Sequence, residues 1–492
     1  MISKQFIKSS FIYTVIGALP LASGIILLPF YTNFLTTEQF GLLALYIAFT
    51  AIMQIIVNHG LDSYIGIHYI ENKDNIKKIR EIIGTSVVLL FFIAVVFLLI
   101  FFITGNTLFS YFSGLTKNKT LLEFYPWGFM SLLTAIFNSL FKTYTTLLIY
   151  QQRPARFFLL NIFNFVLTIG ISLPILLYEP YSLNGPMYGR LLSGLGIFLL
   201  ALFFFIKEFR LSFHKKLLRG IIVFCYPLLI YFILVWIVGN VDRYIIAYFL
   251  NTSDIGIFDF AIKCTFLLEF FQSGLSSSVY PKIFTIWKDQ DVRHSTMETN
   301  RYFNGFTAIT MLIIPVLVIV LPLIIPLVVN NKDYFITFNF LAILFAGYTL
   351  SGLRAYFTAP LMYFKKTKAL PRVYFFSAIF QVILTIYFIK HFGLMGAVWA
   401  FFAVRLLQVV FLYIESRKIF RFTFNTTKQI FLPAFYILLV ILSEIFMIEK
   451  YRMLTQIIQM IIICTLVLWV YRREISMVAK PVFEKFIGGK DE

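Results

Sequence analysis

Phe34-Leu35-Thr36-Thr37-Glu38-Gln39-Phe40-Gly41-Leu42 ends one apolar run of the chain and opens the next. The pattern returns 215 residues later as Phe249-Leu250-Asn251-Thr252-Ser253-Asp254-Ile255-Gly256-Ile257. Two further echoes keep nearly the same spacing: Leu183-Asn184-Gly185 against Leu394-Met395-Gly396, and Tyr150-Gln151-Gln152 against Tyr363-Phe364-Lys365. One short match would be chance. Three matches at offsets between 211 and 215 residues predict two similar halves.

The sequence between these echoes sets the class of protein. It is 60% hydrophobic and 13% charged, with a mean hydropathy of +0.86. Soluble globular domains carry about 25% charged residues, so this chain lacks the polar surface to face water all round. A disordered chain is excluded by the same figures. Lipid solvates what water cannot, and a helix needs about 20 mostly apolar residues to cross the hydrocarbon. Walking the 492 residues with that ruler gives spans at 11–35, 40–66, 82–104, 122–149, 156–178 and 185–206. A second set follows at 219–249, 254–280, 302–329, 334–361, 370–390 and 394–414. Two more lie at 428–447 and 453–471.

The expected fold is therefore all-α and integral to a membrane, with about fourteen spans. Very short turns between two pairs leave thirteen as the alternative count. The halves would be an N-terminal lobe at 1–215 and a C-terminal lobe at 216–418, followed by two extra helices and a tail at 419–492. Six spans is an even number, so both halves insert in the same sense, as a parallel repeat around a central cavity. The first apolar run is too long for a signal peptide and ends in a turn without a small-residue cleavage site. No loop is long enough to hide a soluble active site.

The formal charge of +19 would point to nucleic acid in a soluble protein, but here its location reads as orientation. With both termini in the cytoplasm, 30 of the 42 basic residues fall in cytoplasmic segments and six outside. That asymmetry follows the positive-inside rule and favours fourteen spans over thirteen. Cys225, Cys264 and Cys464 stand alone in apolar stretches, so neither a disulfide framework nor a zinc site is expected. HExxH, Walker and GxSxG patterns are missing from the sequence, and with them the usual parts of zinc hydrolysis, ATP hydrolysis and acyl-enzyme chemistry.

The remaining six basic residues lie within spans: Lys142, Arg190, Arg243, Lys263, Arg354 and Arg405. Charge at bilayer depth is costly, so such residues face a cavity or a partner. Lys142 belongs to a stripe with Thr134, Asn138 and Thr145, spaced to share one helix face. Ser351, Arg354 and Thr358 fall at nearly the repeat offset from Asn138, Lys142 and Thr145. Arg190 and Arg405 form a looser second pair, about one turn out of register. Hydroxyl and amide members of such stripes can simply join helices. Lone cations are better explained as the lining of a wet cavity that binds an anion, and arginine suits phosphate through its planar fork of donors.

Acids within the spans are Asp62, Asp242, Asp259, Glu269 and Glu444. Asp62 continues a stripe of Thr50, Gln54 and Asn58, and neither it nor Glu269 has an obvious local partner. Asp259 and Lys263 are four apart and can neutralise each other. Asp242 and Arg243 are adjacent, so their side chains should point about 100° apart. A carboxylate in a low-dielectric cavity can carry a proton or help bind sodium, which makes Asp62, Asp242, Asp259 and Glu269 the candidates for H+ or Na+ coupling. No cofactor is otherwise expected. The first span carries Gly17, Pro20, Gly24 and Pro29 but no charge, which fits a helix that bends.

Leu28-Pro29-Phe30-Tyr31-Thr32-Asn33-Phe34-Leu35-Thr36 with Phe40-Gly41-Leu42-Leu43-Ala44 resembles the polysaccharide (O-antigen type) flippases of the multidrug/oligosaccharidyl-lipid/polysaccharide exporter superfamily. Val241-Asp242-Arg243-Tyr244-Ile245-Ile246, Ile255-Gly256-Ile257-Phe258 and Gly393-Leu394-Met395-Gly396-Ala397 extend the resemblance in order along the chain. It implies two six-helix lobes plus two C-terminal helices, working by alternating access. The implied cargo is an undecaprenyl-pyrophosphate-linked oligosaccharide moved across the cytoplasmic membrane, with a cationic cavity to receive it. Membrane lipids, a polysaccharide polymerase and a chain-length regulator are the implied partners, and nucleic acid is not. The peptidoglycan-precursor branch should carry basic residues in the first span, and drug exporters an acid there; this chain has neither. A drug/cation antiporter is the in-class alternative and would show an acid-dominated cavity. A membrane-bound polysaccharide polymerase or ligase is the alternative of another class and would need a large outer loop.

Overall fold

The structure, a computed structural model, describes residues 19–117, 122–210, 212–289, 292–419, 423–446 and 451–474. Each predicted span is helical over most of its described residues. In chain order, α1 is Leu19–Phe34, α2 Thr37–Glu71, α3 Ile76–Leu115 and α4 Phe124–Tyr150. Then come α5 Pro154–Tyr178, α6 Asn184–Phe209, α7 Lys215–Phe249, α8 Thr252–Asp289, α9 Val292–Val328 and α10 Lys332–Tyr363. Ala369–Arg417 forms two arms, α11 and α12, on either side of Gly393. Helix α13 is Leu432–Phe446, entered through a turn at Thr427–Phe431, and α14 is Arg452–Val470. Residues 11–18 of the first predicted span, Gly17 among them, lie outside the described residues, as does the end of the thirteenth.

The quoted motif is a helix start. Thr36 caps α2: its hydroxyl accepts from Gln39 N at 3.1 Å, and Gln39 Oε1 accepts from Thr36 N at 3.1 Å. This reciprocal capping box satisfies donors that the first turn leaves unpaired. At the repeat position the same job passes to Asp254, whose carboxylate accepts from Asn251 N at 3.0 Å ahead of α8. Two residues after Gln39 and Asp254 come the two glycines of the motif. A Cβ at Gly41 would overlap the carbonyl oxygen of Thr252, and a Cβ at Gly256 would overlap that of Thr37. The two helix starts thus cross reciprocally, backbone to backbone, as small residues allow in membrane helices. Only glycine fits either place.

Two other glycines mark breaks. Gly393 sits at φ +56° and ψ −139°, which turns the chain between α11 and α12 at the predicted Gly393-Leu394 junction. Helix α2 is interrupted at His59 and Gly60, both with positive φ, into Thr37–Asn58 and Leu61–Glu71. The sequence reading placed Thr50, Gln54, Asn58 and Asp62 on one continuous face. The break corrects this, since Asp62 belongs to a separate helical piece.

Packing divides the chain into two compact units, one ending at Phe260 and the other beginning at Ala261, within α8. In the first unit α4, α5 and α6 pack on one another, α2 lies on α4, α1 on α5, and α7 on α2. Leu140, Tyr144, Ile197 and Phe205 are fully buried among them. In the second unit α9 packs on α14 and α10, while α10 also receives α11, α12 and α13. The opposite faces are apolar and uncovered: Phe102, Ile103 and Trp469 are each about two-thirds exposed or more. Among the described residues, eleven helical stretches are long and apolar enough to cross a membrane, and the 49-residue stretch bent at Gly393 suffices for two crossings. The chain is an all-α multi-pass membrane protein.

Candidate functional site

The six intramembrane cations prove to be held in different ways. Arg243, on α7, is buried, and its guanidinium is fully engaged. Nε and Nη2 donate to Asp259 Oδ1 at 2.9 and 2.7 Å, and Nη1 donates to Asp242 Oδ1 at 3.1 Å and to Gly239 O at 3.0 Å. Asp242 was expected to point away from its neighbour, but the length of the arginine side chain lets it fold back. Asp259, four residues before Lys263, also receives Arg243 from α7. One cation and two carboxylates leave this buried triad with a formal charge of −1 when both acids are ionised.

Lys142, on α4, has its Nζ 3.4 Å from Asp62 Oδ2 and 5.3 Å from the centre of the Phe232 ring. Asp62 therefore does have a partner, which the sequence could not show because it comes from another helix. The rest of the stripe explains the contact. Asn58 donates to Ser139 O at 3.3 Å and Thr143 Oγ1 at 3.0 Å, fastening the same stretch of chain onto α4. Thr134 and Thr145 donate to carbonyls one turn back on α4, at 2.8 and 3.0 Å, and are structural. The acidic Oδ1 of Asp62 is buried without a hydrogen-bond partner.

Arg190, on α6, lines a cavity of about 140 Å³ between α1, α4, α5 and α6. Asn138, Asn161, Asn164, Thr168 and Ser193 share that lining. The Arg190 Nε is buried with no hydrogen-bond partner, and among the described residues no carboxylate pairs with it.

In the second unit, Arg405 on α12 is stacked between two rings, its Cζ lying 3.8 Å from the centre of Tyr348 and 4.2 Å from that of Phe401. Such cation–π contact replaces part of the lost hydration. Tyr348 is fixed in turn by Thr265 at 2.9 Å, by Gln272, which donates to its carbonyl at 3.2 Å, and by Glu269, which accepts from its hydroxyl at 3.4 Å. Glu269 and Arg354 both act electrostatically on Arg405. Arg354 is half-buried on α10 and, among the described residues, forms no ion pair. Lys263 is half-buried on α8. Glu444 meets Arg452 at 3.8 Å.

Arg354, Arg405 and Glu269 thus come together in one unit, Lys142 with Asp62 and Arg243 with Asp242 and Asp259 in the other. Tyr348 and the Asn161, Asn164, Thr168 series were not picked out from the sequence. The asparagines were visible there: their spacing is that of one α5 face, as for the stripes on α2 and α4.

Among the described residues the protein is helical throughout, with charged residues turned into its interior. A profile of the family described as "Polysaccharide biosynthesis protein" matches residues 6–287, more than half of the chain. The chain belongs to this polysaccharide biosynthesis family. Among solved structures it is similar to the lipid II flippase MurJ in an inward closed conformation, at 15% identity and a TM-score of 0.72, covering 94% of this chain and 99% of that one. It is also similar to an inward-facing multidrug resistance MATE transporter, at 13% identity and a TM-score of 0.62, covering 82% and 94%. A third likeness is to the MATE multidrug transporter DinF-BH, at 15% identity and a TM-score of 0.60, covering 87% and 97%. Comparison with curated proteins finds no match. At these identities the structures speak for the fold.

Proposed function

We propose that the protein moves a polyprenyl-pyrophosphate-linked oligosaccharide, such as an O-antigen, capsule or exopolysaccharide repeat unit, across the bacterial cytoplasmic membrane by alternating access. The observation that carries this reading is the set of intramembrane arginines without a paired carboxylate, Arg190, Arg354 and Arg405, in a chain of this family. A polyanionic head group supplies the negative charge they lack, and guanidinium forks bind phosphate well. An apolar groove of about 650 Å³ in the second unit, lined by Leu353, Phe402, Leu406, Ile437 and Ile441, offers a prenyl chain a surface. A drug/cation antiporter would need several carboxylates free to meet a cation, whereas Asp62, Asp242 and Asp259 are already engaged and Glu269 accepts from Tyr348.

In this reading Lys142, Arg243 and Lys263 shape the field of the cavity, and Arg190, Arg354 and Arg405 meet substrate. H+ or Na+ coupling through Asp62, Asp242, Asp259 or Glu269 belongs to the same proposal, as do cytoplasmic termini and contacts with a polymerase and a chain-length regulator. The test is export. In a strain lacking the gene, the wild-type chain should restore surface polysaccharide, while Arg354→Gln and Arg405→Gln should insert normally and fail. Restoration by both variants would contradict the reading.

A further inference from the structure

The cavity beside Arg190 has a lining unlike the apolar pockets elsewhere in the molecule. Its walls combine the guanidinium with three carboxamides, from Asn138 on α4 and Asn161 and Asn164 on α5, and with the ring of Phe165. Arg190 Nε is buried and unpartnered, so a strong donor faces the cavity with no carboxylate to meet it. Asn161 donates its amide to Phe157 O at 2.8 Å on its own helix. That leaves its carbonyl oxygen as an acceptor. The site therefore presents a charged donor and a neutral acceptor side by side. A fully deprotonated anion such as sulfate or chloride has no proton to give to such an acceptor. A hydroxy acid has both parts.

Size and charge narrow the ligand further. One guanidinium balances one negative charge, and a diphosphate bears more. A cavity of about 150 Å³ holds benzene, so this one, at about 140 Å³, admits the carboxylate end and one face of a single sugar ring and nothing larger. Phe165 supplies an apolar face for such a ring.

We propose that this cavity is a subsite for one carboxylate-bearing sugar ring, with the carboxylate on Arg190 and a ring hydroxyl donating to Asn161. The inference rests on the oligosaccharide reading above and deepens it: the cargo includes an acidic sugar, recognised within the first unit.

The experiment is calorimetric titration of the full-length protein in detergent micelles with glucuronate, glucose and acetate. Glucuronate should bind, glucose should give no heat, and acetate should bind about 10-fold more weakly for want of the hydroxyl contact. Arg190→Gln should weaken glucuronate by about 10-fold or more, with Arg190→Lys in between. Asn138→Asp keeps the arginine but neutralises it from within the cavity, and should abolish glucuronate binding. This second variant decides the matter if Arg190→Gln does not fold. Undiminished glucuronate binding in a folded variant would overturn the proposal. So would equal binding of glucose, equal binding of acetate, or no binding by the folded wild type. Soluble sugars need no transport step, so failure here leaves the flippase reading to the export test, and failure of export leaves this binding result intact.

Discussion

Lys142 and Arg354 stand 212 residues apart, at the spacing of the sequence echoes, yet they are held differently, while Arg190 and Arg405 both lack a paired carboxylate among the described residues. In the first unit Lys142 meets Asp62, and Arg243 is wrapped by two aspartates. In the second, Arg405 rests between aromatic faces, and Arg354 forms no ion pair among the described residues. What neutralises a charge inside the bundle comes from neighbouring helices, and there the two positions differ.

The sharpest way to break this comparison is to unpair the paired site. Arg243→Ala leaves Asp242 and Asp259 buried without their cation, which should cost about 3–5 kcal/mol. Size-exclusion profiles and melting of the purified variant will show it. If the triad is only structural, Arg243→Met combined with Asp242→Asn and Asp259→Asn should recover most of the loss.

Next in size is the repeat motif itself. Gly41→Leu drives a side chain into the Thr252 carbonyl, and Gly256→Leu does the same against Thr37. Overpacking of this kind costs about 1–3 kcal/mol. Equal losses of melting temperature in the two variants would confirm that the crossing is reciprocal, and a loss in one alone would contradict it. Lys142 and Asp62 should couple more weakly, since the lysine is 41% exposed. A double-mutant cycle with Lys142→Gln and Asp62→Asn should return about 1 kcal/mol or less. The smallest effect is expected where no carboxylate is paired. Arg354→Gln should change stability by only about 0.5 kcal/mol while abolishing export.

The helices were legible because crossing a bilayer imposes one length on a run of apolar residues, and fourteen such runs met that length. The recurring motif was legible because it is read twice in similar geometry: a capping contact of Thr36 with Gln39 and of Asn251 with Asp254, then glycine where two backbones touch. The interruption at His59 and Gly60 was missed, since Asn58 and Asp62 keep helical spacing across it. Partners were missed for a different reason. Asp62 finds Lys142 on another helix, and Asp259 meets Arg243 from α7, decisions made by packing and not by spacing. The amide stripe on α5 carried the same period as those on α2 and α4. It drew no notice because it contains no charge, and its meaning comes from Arg190 on the next helix.

The central claim is that Arg354 and Arg405, left without a paired carboxylate among the described residues, receive the anionic head of a lipid-linked oligosaccharide. Its most direct test is flipping in proteoliposomes of a fluorescent polyprenyl-diphosphate oligosaccharide, comparing wild type with Arg354→Gln and Arg405→Gln. Wild type should move the lipid between leaflets, and both variants, equally well folded, should fall to the rate of empty vesicles. Wild-type rates in both variants would contradict the account.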